Sequence, residues 1–303
     1  LDQLLSKFRS LKNTIILYPI IGFILFINLQ SCTKENKIFE LKSNQDYPLQ
    51  KLIKTDTLGV TKEIPEKLTK YSYTLDNITF VPGRQITYDY YYIKNRDSLK
   101  FSFDSLYSPS PKAWDFTPLK NINKNTVEKL VLSILDTIPE NFSPGYDQTV
   151  IEIKYLNPDG HAIAVETTGV IENSANIWMH PPRLKMFNIL QIAPWPFIKS
   201  PYVIENKWKW HFTHSEFPSD HRFVEWEGTL ENTYEYYISG KKTIETKFGF
   251  VECYVIEAKA FNDKIKNSTL VSFFNPNIGF VKMEFTNADG STIVFIADAF
   301  MNQ

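Results

Sequence analysis

The sequence predicts a mainly β (α+β) protein, a curved antiparallel sheet or half-barrel of roughly ten strands with one amphipathic helix packed on it. Three observations predict this class. Period-two alternation recurs four times in succession toward the C-terminus, over Val251 to Ile256, Thr269 to Phe274, Val281 to Thr286 and Ile293 to Asp298. The breaks fall at Asn262-Asp263, Asn275-Pro276-Asn277-Ile278-Gly279 and Asn287-Ala288-Asp289-Gly290, residues that tolerate positive φ or bond their own backbone. Aromatic residues make up 15% of the chain, mostly Phe and Tyr, which suits the half-buried faces of sheets.

The first stretch has the layout of an export signal. Lys7, Arg9 and Lys12 form a positive flank ahead of an apolar run from Thr14 to Leu29. That run is short of the ~20 residues a membrane-spanning helix needs, and Pro19 interrupts it, so residues 1–31 fit a signal peptide. It ends in Leu29-Gln30-Ser31-Cys32, which resembles the lipobox of bacterial lipoproteins: an apolar residue three before the cysteine and a small one directly before it. The resemblance implies lipid attachment, a palmitate-type acyl modification, at Cys32. Two or three such chains make a durable membrane anchor. The alternative is an uncleaved signal anchor. Loss of three positive residues and one negative with the signal takes the formal charge from -1 to -3, which argues against nucleic acid as a partner.

Residues 32–70 are mostly polar and read as a lipidated tether and irregular lead-in; residues 71–303 read as a single antiparallel β-rich domain. Its first strand places Ile86, Tyr88, Tyr90 and Tyr92 on one face, where rings pack while hydroxyls reach water, and Leu99 to Phe103 pairs with it. Val127, Leu130, Val131, Ile134, Leu135 and Ile138 follow helical spacing, with Asn125 as cap and Pro139 as stop, so the helix is expected there. Thr149 to Tyr155 and His161 to Thr168 form a hairpin about Asn157-Pro158-Asp159-Gly160. A third strand from Gly169 to Met179 must leave the sheet at Pro181-Pro182, before a long crossing loop with apolar anchors at Trp195 and Phe197. Trp208, Trp210 and Phe212 share a strand face, and Trp226 follows; indoles at this spacing fill a core more often than they stack on sugars. Ser239-Gly240 then reads as the turn of a further hairpin.

Candidate chemistry is sparse. His211, His214, Glu216, Asp220 and His221 are the one grouping of metal-ligating types, but His211 and His214, three apart in a strand, point to opposite faces, so no metal site is assigned to them. No G-x-S-x-G, P-loop or G-x-G-x-x-G is present, and no catalytic or cofactor-binding residue is assigned. Of two cysteines, an acylated Cys32 leaves Cys253 alone in a strand, where burial is expected.

Thr168-Gly169, His180-Pro181-Pro182-Arg183, Trp226-Glu227-Gly228 and Phe280-Val281-Lys282-Met283-Glu284 together resemble uncharacterised lipoproteins of Bacteroidetes-type bacteria. The meander with a covering helix is similar in architecture to the half-barrel carriers of the LolA and LppX type. That likeness implies a concave face able to hold a lipid or other amphiphile. The expectation is a membrane-anchored envelope protein acting as a binding or scaffold module for a hydrophobic small ligand or an envelope protein partner, with enzymatic activity left open. Rival readings are an envelope-polymer hydrolase and a structural subunit of an outer-membrane assembly. Thr33-Lys34-Glu35-Asn36-Lys37 lacks the acidic run that surface-exposed lipoproteins of that group carry after the cysteine, so the outer membrane facing the periplasm is the expected location.

Overall fold

The computed structural model describes residues 54–55, 61–62, 77–103, 113–137, 139, 142, 146, 148–216 and 218–302; Cys32, the signal segment and most of the tether lie outside them. Two short strands, β1 (Lys54–Thr55) and β2 (Thr61–Lys62), pair with each other. All others belong to one antiparallel sheet of fourteen strands, against the roughly ten expected. They are β3 (Gln85–Lys94), β4 (Asp97–Phe103), β5 (Trp114–Pro118), β6 (Lys129–Ile134), β7 (Thr149–Leu156), β8 (Ala162–Glu172), β9 (Asn176–Met179) and β10 (Phe197–Lys199). After these come β11 (Lys207–His214), β12 (Leu230–Thr246), β13 (Gly249–Phe261), β14 (Thr269–Asn275), β15 (Gly279–Thr286) and β16 (Thr292–Met301).

The sheet runs β10-β9-β8-β7-β6-β3-β16-β15-β14-β13-β12-β11, with β4 and β5 added beside the far half of β3. It curls into a nearly closed barrel. Its two edges, β10 and β11, are not joined by a hydrogen-bond ladder, and aromatic rings bridge them instead. Phe197 lies 5.5 Å from Trp208, and Trp195 stands between Trp178 at 5.1 Å and Trp210 at 5.6 Å, centroid to centroid. Such ring pairs each contribute about 0.5–1.5 kcal/mol beyond the area they bury. The tryptophans are therefore core, as their strand spacing indicates, and they form the seam.

The expected helix is absent: residues 129–134 are β6, laddered to β3 on one side and β7 on the other. Leu130, Leu132 and Ile134 face the core with period two, while Val131 and Leu135 keep the outer face apolar enough to imitate a helical stripe. Two neighbouring strands satisfy every backbone group of β6, a tertiary gain that overrides the local pattern. The helical segments among the described residues are 3-10 turns, Leu119–Asn121 and Lys185–Gln191. Ser239-Gly240 is a bulge inside the continuous β12, not a turn, since glycine lets the strand bend without leaving the ladder. Beyond it Ile244, Val251 and Cys253 are buried, and Lys247 at the tip of the β12–β13 arm pairs with Asp298 of β16. The strand expected from Gly169 to Met179 divides at Asn173, whose side chain accepts the N–H groups of Ala175 and Asn176 at 3.0 Å and turns the chain between β8 and β9.

Tyr88, Tyr90 and Tyr92 of β3 pack inward, but their hydroxyls do not reach water. Tyr88 donates to Phe280 O at 2.7 Å; Tyr90 donates to Val127 O at 2.9 Å and accepts from Phe101 N at 2.8 Å. Residues 181–196 pass through the barrel and fill it. Met186, Phe187, Ile189 and Leu190 are all buried, and the Phe187 ring meets Phe101 (5.0 Å), Tyr90 (5.4 Å), Tyr155 (5.7 Å) and Phe295 (5.7 Å). Truncating this side chain leaves a cavity bounded by four strands that cannot collapse together. Phe187→Ala is expected to destabilise the domain by about 3–5 kcal/mol, measured as a drop in the urea midpoint at unchanged slope.

Candidate functional site

Two carboxylates turn inward from β8, because Glu166 lies opposite the inward Ile153 and Glu172 opposite the buried Ile177. Glu172 is fully committed to structure. Its oxygens accept the main-chain N–H groups of Ile78 and Thr79 at 2.8 Å and Phe80 at 2.7 Å. Burial raises its pKa and these three donors oppose the rise, so the carboxylate anchors the point where the chain joins the barrel. Arg84 completes this anchor by donating to Ile78 O and Thr79 O.

Glu166 accepts the N–H of Arg183 at 3.2 Å, tying the start of the crossing segment to β8. Burial pushes its carboxyl from 4.5 up to about 7, with the Arg183 N–H, the Tyr155 hydroxyl and the Arg183 charge pulling the other way. His180 sits against the rings of Trp195 (4.5 Å) and Trp178 (4.6 Å), and burial, then the Arg183 charge, lowers it to about 3. The Arg183 charge acts on both the acid and the imidazole, but the void at this place is about 10 Å³, and of these three groups only His180 lines it, with Tyr88, Leu130, Met179, Pro182 and Phe295 among others. That is room for one water at most. The cluster holds the crossing segment in place. A second polar group does the same from β12: Asn232 donates to Ile192 O at 2.9 Å, and the Tyr236 hydroxyl accepts from Trp195 N and Trp210 Nε1.

The three histidines do not converge. His211 is exposed on the outer face beside Thr233 Oγ1 at 2.9 Å, whereas His214 is buried, its Nε2 2.7 Å from the Tyr234 hydroxyl, and burial lowers it from 6.5 to about 4. His221 is exposed, 3.7 Å from an Asp220 carboxylate that is engaged by Arg222 at 2.6 Å, and Glu216 accepts from Gly228 N. Among the described residues no group of three His, Cys, Asp or Glu side chains is placed to hold a metal. Cys253 is buried, and burial lifts its thiol to about 12, an inert state.

A recess with room for a ligand lies on the outside of the barrel. It crosses β11 to β14 as a groove of about 600 Å³, within the range of small-molecule pockets. Strand register builds it from two cross-strand rows. One runs Lys209, Glu235, Lys259, Thr269 and the other Lys207, Tyr237, Glu257, Val271. Lys209 pairs with Glu235, and Tyr237 donates to Glu257 at 2.7 Å, so both acids have partners within the groove. Lys259 lies 4.7 Å over the Phe261 ring, and Lys207 is exposed at one end. What remains is a floor of Tyr237, Phe261 and Val271 with Lys207 and Lys259 at its margins; Glu257 brings a negative charge beside the Tyr237 hydroxyl, so the groove as a whole carries a modest positive excess. A second recess of about 370 Å³, lined by His211, Thr233 and Asp263 among others, adjoins it through Phe261. Sequence inspection misses this site, because its residues come from four strands and each looks like an ordinary outward-facing position.

Fold and groove together define a nearly closed antiparallel β-barrel, packed inside by its own crossing segment, with a ligand-sized recess on its outer wall. No protein-family model matches the chain, and no curated protein matches it. Among solved structures it is similar to a protein of Bacteroides fragilis described as exported and as having a YmcC-like fold, at TM-score 0.38 and 11% identity over 75% of this chain and 99% of that one. A protein of Parabacteroides distasonis described as a lipoprotein matches at TM-score 0.37 and 11% identity, over 75% and 100%. The hypothetical lipoprotein YmcC of Escherichia coli matches at TM-score 0.30 and 10% identity, over 75% and 87%. Likeness this distant assigns neither a family nor the role of any residue.

The inward ionisable groups make stability depend on pH in two opposed ways. Folded Glu166 keeps its proton to about pH 7 while the unfolded carboxyl loses it from 4.5, so its contribution is full at low pH and is lost as pH rises through that window. His214 acts in reverse, its contribution disappearing as pH falls from 6.5 to about 4. Glu166→Gln removes only the first effect. Its urea midpoint, compared with the parent's at about pH 5 and about pH 8, is expected to gain on the parent at the higher pH.

Proposed function

We propose that this chain is an exported lipoprotein, acylated at Cys32 and held at the outer membrane facing the periplasm, whose barrel is a binding module for an anionic amphiphile. The observation that carries the binding half is the outer groove, with its apolar floor and the margin cations Lys207 and Lys259. The concave face expected to hold acyl chains is occupied by Phe187, Ile189 and Leu190, so the ligand site moves from the inner to the outer wall. An apolar floor favours a hydrocarbon chain, and a cation within reach of it favours an acidic headgroup over a neutral one. The address half is supported by the charged flank, the apolar run and the Leu29-Gln30-Ser31-Cys32 tetrapeptide.

Two measurements test the two halves separately. Cells fed an alkyne-tagged palmitate are expected to label the chain, and Cys32→Ser to abolish the label; an unlabelled parent would remove the anchor. For the groove, calorimetric titration with dodecyl phosphate is expected to give binding that weakens about tenfold, or ~1.4 kcal/mol, in Lys259→Glu and in Tyr237→Ala, with circular dichroism unchanged. Dodecyl maltoside binding as tightly as dodecyl phosphate would exclude the acidic headgroup.

A further inference from the structure

The barrel has two rims of unlike character. One is the rim where Asn77 to Phe80 join the domain under Glu172. It includes the β8–β9 turn, where Ala175 O accepts from Ser200 N at 2.7 Å, and therefore also the loop of residues 200–206 between the seam strands β10 and β11. The end of β16 lies there too, since Met301 is in register with Gln85, and Asn302 accepts from Arg84 Nε at 2.7 Å.

On this rim sit the three most exposed large hydrophobic side chains of the described residues: Val203 at 57%, Met301 at 53% and Ile204 at 51%. The loop that carries two of them is firmly held. Glu205 N donates to Ile238 O at 2.8 Å, Ile238 N donates to Asn206 O at 3.0 Å, and the Tyr202 ring packs 5.6 Å from both Tyr254 and Phe274. Chain tension or poor packing does not explain why two adjacent aliphatic side chains should then point into water. In sheet order the seam and the β3–β16 junction are six strands apart in either direction, so Val203 and Ile204 face Met301 across the rim. Lys199 and Lys207 bracket the loop, with Glu205 the one acid between them. The opposite rim is built from the exposed polar turns at Asn95-Arg96, Pro158-Asp159-Gly160 and Asp263-Lys264, with Leu119, and Val165 on the wall of β8 short of it, as exposed large hydrophobics.

We infer that the Asn77 rim rests on a lipid bilayer, with Val203 and Ile204 dipping into the interface on one side and Met301 on the other. The occupant follows from where the chain leads. Asn77 is where the barrel takes up the chain that comes from Cys32, so in sequence this is the rim on the anchor's side, and this half of the argument rests on the acylation reading above. An acyl anchor alone fixes distance from the membrane, not orientation. Two apolar points on opposite sides of one rim fix orientation, and the bracketing lysines suit anionic headgroups.

The test places a nitroxide on the full chain at Ile204→Cys, at Met301→Cys or, on the opposite rim, at Asp159→Cys. The protein is reconstituted in vesicles of equimolar phosphatidylethanolamine and phosphatidylglycerol, and collision with a water-soluble nickel chelate is compared with collision with oxygen. Immersion at 204 and 301 is expected as a fall of about tenfold in nickel accessibility, with the label at 159 unaffected. Mass analysis of the N-terminus decides the anchor independently. Labels at 204 and 301 as nickel-accessible as the one at 159 on acylated protein would overturn the rim contact and leave the anchor standing. If the N-terminus is not acylated, the same three labels are read in a Cys32→Ser background with vesicles added; immersion there upholds the rim contact without the anchor, and full nickel accessibility overturns it.

Discussion

A sheet whose main path is twelve strands around encloses more space than its own inward side chains can fill. Eight strands give an interior that side chains just close; wider barrels hold water, a ligand or a plug. In this barrel the plug is residues 181–196, and the Phe187 ring at its centre touches strands from both halves of the sheet. Everything else about the interior follows from that filling. The double proline at 181–182 ends β9 and releases the chain inward, and Glu166, Asn232 and Tyr236 give its main chain the partners that an irregular segment needs once buried.

The same filling explains why the buried ionisable groups carry no catalytic geometry. Glu166 and Glu172 each face a low-dielectric interior, where an unpaired carboxylate is costly. Each resolves the cost by accepting main-chain N–H groups, and each in doing so pins an irregular stretch of chain to β8. Groups with shifted titration in a cleft are a mark of active sites; Glu166 and Glu172 are shifted but are engaged by main chain, and the void beside the equally shifted His180 has no room for substrate. Room for a ligand-sized group lies on the outer wall, where cross-strand register assembles a groove out of unremarkable positions.

How much of this the sequence discloses depends on whether one face of a strand is wet. From β13 to β16 the inner face is apolar and the outer face mixed, so alternation locates all four strands and their turns. In and just after β6 the outer face also carries apolar residues, since Val131 and Leu135 oppose Leu130 and Ile134, and a helix fits the letters equally well until β3 and β7 supply ladder partners. The bulge at Ser239-Gly240 and the turn at Asn173 exchange roles for a similar reason: glycine permits a turn without requiring one, and the side-chain acceptor of Asn173 makes one. The seam indoles and the opposed histidines were legible because strand parity alone decides them. The groove was not, because parity says that a residue faces out, never which strands stand beside it.

The pairing of β3 with β16 sets the order in which the domain can consolidate. These are the first and last strands of the sheet, matched from Gln85 with Met301 to Ile93 with Thr292, and they lie at its middle. Local hairpins such as β7–β8 or β14–β15 can form early, but the two halves of the barrel have no ladder between them until β16 is present. A chain made or threaded from its N-terminus therefore stays unfinished, and so unable to fold as a barrel, until Thr292–Met301 is free to pair.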